Sequence, residues 1–134
     1  TSIDLIMNTL LWILQGLLAF MMLAPGAMKL TNSNPELIKK GNGRMDWAED
    51  VSPTAMKFIG LVEVLAAFGL ILPQLLNIQP ILTPIAAIGV ILTMLGALAL
   101  HIKRGDEPKS LGINMMILLI AAFVAYGRLE LLPV

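Results

Sequence analysis

Four apolar stretches organise the chain, from about Ile3 to Leu30, Thr54 to Leu72, Ile81 to Ile102 and Leu111 to Leu129. Each is close to, or longer than, the ~20 residues that cross a ~30 Å hydrocarbon core. Lipid offers no hydrogen bonds, so a spanning segment must satisfy its own backbone. A barrel would need alternating strands of about ten residues in larger number. The pattern therefore predicts four transmembrane helices in one all-α domain, residues 1–134, packed as an antiparallel four-helix bundle.

The polar punctuation adds boundaries. Ser52-Pro53 reads as N-cap and first residue of the second helix, and Thr83-Pro84 as the same for the third. Pro73 is expected to end the second helix, and Pro25 to kink the first near its end. Gln74 to Pro80 is a short, uncharged connection, and Lys103 to Ser110 a short, charged one. Thr31 to Ser52 is longer and mixed; it predicts one or two short helical turns lying on the interface, with Trp47 at headgroup depth. Close helix packing in lipid needs small residues. They occur at Gly60, Ala66, Ala67 and Gly69, at Ala86, Gly89, Thr93 and Gly96, and at Ala121, Ala122 and Ala125.

Composition fits lipid as the solvent: 57% hydrophobic residues, 13% charged, mean hydropathy +0.85, against about 25% charged in ordinary soluble domains. The formal net charge is zero, which offers no basic face to nucleic acid. The absence of Cys excludes a disulfide framework, a thiolate metal site and a thiol redox centre on this chain. Thr1 to Asp4 lacks a positive n-region, so the first apolar run is expected to be a retained span rather than a signal peptide. One side of the bundle would carry Lys29, Lys39, Lys40, Arg44, Lys57, Lys103, Arg104 and Lys109, the other Arg128 alone. That asymmetry predicts charged loops in the cytoplasm and both termini outside it. The expected location is a multi-pass one in a bacterial inner membrane.

Glu63 is the most informative residue. It lies about nine residues into the second segment, roughly 13 Å along a helix and close to the bilayer midplane. A carboxylate there costs several kcal/mol unless it is paired, hydrated or protonated. Three readings stand: a buried polar lock that fixes helix register, a ligand or proton site, or a lipid-facing protonated carboxyl. Gln15 and Thr93 are its depth-matched partners, and the Pro25 kink would bring Lys29 inward. His101 closes the third helix, either as a cation favoured by the helix dipole and headgroups or at the mouth of a Glu63 cavity as acid, base or ligand. A lone His is a poor metal site, and no metal is expected. Asn114 suits an interhelical hydrogen bond or a substrate contact. Trp47, Tyr126 and Arg128 read as interface anchors, as does Trp12. There is no P-loop, dinucleotide fingerprint, H-E-x-x-H, nucleophile elbow or haem-ligating histidine pair.

Several short segments, in order, carry a resemblance. They are Gly26-Ala27-Met28-Lys29-Leu30, Met45-Asp46-Trp47-Ala48-Glu49-Asp50, Lys57-Phe58-Ile59-Gly60-Leu61-Val62-Glu63-Val64-Leu65, Gly69-Leu70-Ile71-Leu72-Pro73, His101-Ile102-Lys103-Arg104-Gly105-Asp106 and Ala125-Tyr126-Gly127-Arg128. Over nearly its whole length the chain resembles the DoxX-like small membrane proteins. The resemblance implies a four-helix membrane bundle with Lys29, Glu63 and His101 at characteristic polar positions. Members of that family resemble quinone-linked redox subunits, parts of membrane redox complexes or, in a distant branch, receptor-assembly chaperones.

Three functions follow as expectations. The first is a redox-associated membrane subunit, with a quinone headgroup in a polar pocket and Glu63 and His101 moving protons. The second is a non-enzymatic scaffold or assembly factor with a membrane-protein partner. The third is a small-molecule or ion carrier built on Glu63, which needs a homo-oligomer because four helices are few for alternating access.

Overall fold

A computed structural model describes residues 1–134. The elements are α1 (Ser2–Thr31), α2 (Asn34–Lys40), a 3-10 turn (Asp46–Asp50), α3 (Pro53–Leu76), α4 (Leu82–Arg104), α5 (Pro108–Tyr126) and a π turn (Gly127–Leu131), with no strand. α1, α3 and α4, and α5 with its π turn, are each long and apolar enough to cross a bilayer. α1 packs on α3, α3 on α4 and α4 on α5, and a thinner α1–α5 contact closes the ring.

The buried stripes explain this packing. On α1 they are Leu11, Gln15, Leu18, Met22, Gly26 and Lys29, and on α3 Met56, Gly60, Glu63, Ala67 and Leu70. Steps of three and four residues keep one face of each helix on its neighbour. Leu18, Met22, Ala67, Leu70, Ala87, Val90, Met94, Ile117, Ala121 and Val124 form the central core. The outward faces remain apolar, with Phe20, Phe58, Leu65, Phe68, Leu92 and Leu119 all at least half exposed. A chain solvated by lipid has no reason to hide them.

Small residues set the closest approach at one crossing in particular. A methyl group on Gly60 would lie 2.9 Å from the Gly26 carbonyl oxygen and 2.9 Å from Lys29 Cβ; one on Gly26 would lie 3.0 Å from Glu63 Cβ. Gly69 likewise admits Ala86. Gly89 and Gly96 depart from expectation, since no atom stands near where their Cβ would be. The buried face of α4 is instead Thr83, Ala87, Val90 and Met94.

Two boundaries differ from the sequence expectation for one shared reason. α3 runs through Pro73 to Leu76 and ends at Asn77 in a left-handed conformation (φ 54°). α4 starts at Leu82, so Thr83 is inside the helix rather than its cap. Pro73 has no N–H, which leaves the Gly69 carbonyl without its helical donor. The buried Thr83 hydroxyl supplies that donor across the helix pair, at 3.0 Å. α1 also runs unbroken through Pro25.

The long connection folds as expected into short helical turns, and it has a core of its own. Leu37, Ala48 and Met56 are buried together, with Trp47 packed against them. Asn34 Nδ2 ties α2 to the 3-10 turn by donating to Val51 O at 2.7 Å and Ala48 O at 3.3 Å. Lys57 Nζ donates to the Lys29, Leu30 and Asn32 carbonyls at 2.7–3.2 Å. A cation thereby satisfies the orphan carbonyls at the end of α1.

Candidate functional site

The Gly26–Gly60 crossing brings Lys29 and Glu63 together. Side chains lean toward the N-terminus of their own helix. On antiparallel α1 and α3, Lys29 therefore leans into the bundle and Glu63 leans back toward the loop end. Lys29 Nζ donates to Glu63 Oε1 at 2.6 Å, with side-chain exposures of 8% and 5%. Neither ion would be tolerated here alone, since each unpaired charge costs several kcal/mol. No other protein donor reaches the carboxylate, and no other protein acceptor takes the remaining ammonium protons.

Trp47 covers this pair. Its ring lies 5.7 Å from Lys29 Nζ and meets the His101 ring edge-on at 6.5 Å. His101 is buried and its Nδ1 is 2.6 Å from Asp106 Oδ2. The carboxylate acceptor places a ring proton on Nδ1 and leaves Nε2 free, an acceptor in the neutral ring and a donor in the charged one. Arg104 Nε donates to the same Asp106 oxygen at 3.1 Å, and its Nη1 contacts Glu49 at 3.2 Å and also Asp50. The hydrogen bond from His101, aided by Arg104, holds the Asp106 carboxyl below the usual carboxylate range. This network clamps the 3-10 turn, and with it Trp47, onto the end of α4.

Gln15 and Arg128 form a second cluster at the other end. Gln15 does not meet Glu63. It lies fourteen residues before Lys29, roughly 21 Å along the helix. Its Nε2 donates to Leu70 O at 2.8 Å and Gln74 Oε1 at 3.1 Å, and its Oε1 accepts from Arg128 Nε at 2.7 Å. Arg128 is not an exposed anchor: it is 2% exposed, and its Nη1 donates to Asn8 Oδ1 at 2.8 Å. Trp12 packs against the guanidinium, 5.5 Å from its ring centroid. Thr93 bonds only to Gly89 O of its own helix, and Asn114 is half-buried with no hydrogen bond within the chain. Tyr126 is exposed.

Sequence reasoning thus paired Glu63 with the wrong amide and missed the Arg128 cluster. The signal was present in α1: Asn8, Trp12 and Gln15 recur at i, i+4 and i+7 and share one face. Gly127 was the other half of it. A methyl group there would strike Leu11 at 2.5 Å, so the π turn lies tight against α1 and delivers Arg128 to Gln15.

The four spans agree with the comparison to known families, in which the model of the DoxX-like family matches residues 13–124. The chain belongs to the DoxX-like family. It is an integral, multi-pass membrane protein. No curated protein and no solved structure gives a match. The family match spans Lys29, Glu63 and His101, and Gln15 of the second cluster, but stops short of Arg128.

Proposed function

We propose that this DoxX-like protein is a redox-associated membrane subunit whose Lys29–Glu63–Trp47–His101 cluster receives a quinone-type headgroup. The single observation behind this reading is Trp47. A loop indole placed against both the Lys29 ammonium and the His101 ring has more to do than anchor an interface. A quinone headgroup is flat and carries carbonyl oxygens. The spare Lys29 protons suit such an oxygen, Trp47 suits the ring face, and His101 Nε2 and the free Glu63 oxygen are groups that hold or pass protons.

Titration of the purified protein with decylubiquinone tests this. Tryptophan emission should be quenched in wild type and in Trp12→Phe, and the quench should disappear in Trp47→Phe. Glu63→Gln should weaken binding at least tenfold. An unchanged affinity in Glu63→Gln ends the quinone reading.

A second reading has its own observation. Lys29 and Glu63 sit at the tightest helix crossing and are almost fully buried, as a register lock in a scaffold or assembly factor would be. It predicts no quench by quinone, and copurification with another membrane protein that survives loss of both charges.

We further propose that the charged loops face the cytoplasm of a bacterial inner membrane and both termini face away. The support is the eight Lys and Arg residues near the loop end against Arg128 alone. A C-terminal alkaline phosphatase fusion should be active and a C-terminal green fluorescent protein fusion dark; the opposite pair of results reverses the topology.

A further inference from the structure

We infer that the end of the bundle opposite the loops holds an oxyanion-binding site, with Arg128 as its anchor. The ligand class is a phosphate or carboxylate group, on a lipid headgroup or on a small solute.

A guanidinium is charged at every accessible pH and carries five N–H donors. Arg128 uses two of them, to Gln15 and Asn8, both neutral acceptors. Three donors remain, and Nη2 is buried with no partner at all. No carboxylate contacts the group, although it is 2% exposed. Burying an uncompensated ion costs several kcal/mol, and the two amides satisfy geometry without supplying charge. Trp12 offsets part of this from one side.

A cleft of about 420 Å3 has Arg128 among the residues that line it. Asn8, Gln74 and Asn77 line it with amides, and the Asn77 side chain makes no hydrogen bond within the chain. Leu5 forms part of its rim and is 71% exposed. Asp4 also lies on the rim, but its side chain is 59% exposed, where water and salt screen it. Glu130, two residues beyond Arg128, is exposed. The site is thus a buried, underused cation under an open polar cleft, at the depth where α1 begins and α5 ends. An oxyanion there completes the fork of the guanidinium with charge-assisted bonds and removes the imbalance. The site is separate from the Glu63 cluster, and neither proposal depends on the other.

The test uses the full chain, delipidated in a nonionic detergent, with thermal unfolding as readout. The probes are dihexanoyl phosphatidate, dihexanoyl glycerol, and inorganic phosphate against chloride at constant ionic strength. Phosphatidate should raise the unfolding midpoint of wild type and dihexanoyl glycerol should not. If inorganic phosphate also raises it, the ligand is a free oxyanion; if phosphatidate alone does, it is a lipid headgroup. Either result supports the site. Arg128→Gln should weaken the effective probe about tenfold or more, whereas Lys109→Gln, at the loop end, should leave it unchanged. Should Arg128→Gln fail to fold, Asn8→Asp carries the test: it keeps the oxygen that accepts from Arg128 Nη1 at 2.8 Å, gives it the missing negative charge, and should weaken binding by a similar factor. The proposal is overturned if no probe shifts wild type, if dihexanoyl glycerol matches phosphatidate, or if both variants keep wild-type affinity.

Discussion

The two ends of this bundle treat buried charge in opposite ways. At the loop end, Lys29 answers Glu63, Asp106 answers both His101 and Arg104, and Glu49 and Asp50 answer Arg104 again. At the other end Arg128 is just as buried, yet only amide oxygens accept from it. The first arrangement is closed by the chain's own folding. The second satisfies hydrogen-bond geometry and leaves one charge over. A charge left over is an opening for an ion from outside, whereas a charge-matched pair has only spare protons and lone pairs to offer a neutral partner.

That contrast predicts unequal costs. Lys29→Met strands Glu63 in the α1–α3 seam and should destabilise the protein by about 3–5 kcal/mol, the penalty for breaking a buried pair from one side. Adding Glu63→Leu should recover most of the loss, because the pair as a unit roughly breaks even against apolar packing. Arg128→Met removes a cation that has no counter-ion, and should cost clearly less than Lys29→Met. Unfolding in mixed micelles with increasing dodecyl sulfate ranks the variants. Equal costs for Lys29→Met and Arg128→Met would erase the distinction between the ends.

The crossing that carries the closed pair is the next place to press. Gly60→Ala puts a methyl group 2.9 Å from both the Gly26 carbonyl and Lys29 Cβ. The helices must part, at about 1–3 kcal/mol for overpacking. Gly89→Ala meets nothing and should be neutral or stabilising, by up to about 1 kcal/mol from helix propensity. Both glycines look alike in sequence, so equal effects in the same micelle assay would show that the crossing has no special role.

Gly60 and Gly89 mark the limit of what was legible in the chain. Length and apolarity alone specified four spans, and Glu63 stood out because a carboxylate within twenty apolar residues has no cheap explanation. Lys29 was legible as a near partner only by way of an expected Pro25 kink; α1 instead runs unbroken through Pro25, and the Gly26–Gly60 crossing brings the two together. Which glycine faces a helix and which faces lipid was not legible, because in a lipid-solvated bundle both faces are apolar and the amphipathic contrast of a soluble helix is gone. Thr83 misled for a related reason: Ser/Thr-Pro usually marks a cap, but here the Gly69 carbonyl freed by Pro73 was the stronger claim on the hydroxyl. Trp47 and Arg128 misled because aromatic and basic residues at such depths are ordinary anchors. Only tertiary contacts, a folded loop for one and a π turn against Leu11 for the other, turn them inward.

The smallest expected effect concerns how Trp47 is held. Asp106 receives His101 Nδ1 and Arg104 Nε, and Arg104 in turn holds Glu49 and Asp50 of the turn that carries Trp47. The Asp106 carboxyl lies below its ordinary value in the folded protein. A group with a depressed folded pKa contributes stability above its unfolded value, about 3.9, and loses it as pH falls through the lower folded value. The clamp on Trp47 should therefore hold from neutral pH down to about 4 and loosen only below. Emission of Trp47, read in a Trp12→Phe background, should stay flat over that range and shift red under stronger acid. Asp106→Asn should show the red-shifted spectrum already at pH 7 and lose the acid step. An acid step that persists in Asp106→Asn would show that Asp106 is not its source, and would place the loop's attachment at Arg104 rather than at His101. That outcome matters for the comparison between the ends, since it would leave the His101–Asp106 hydrogen bond outside the clamp.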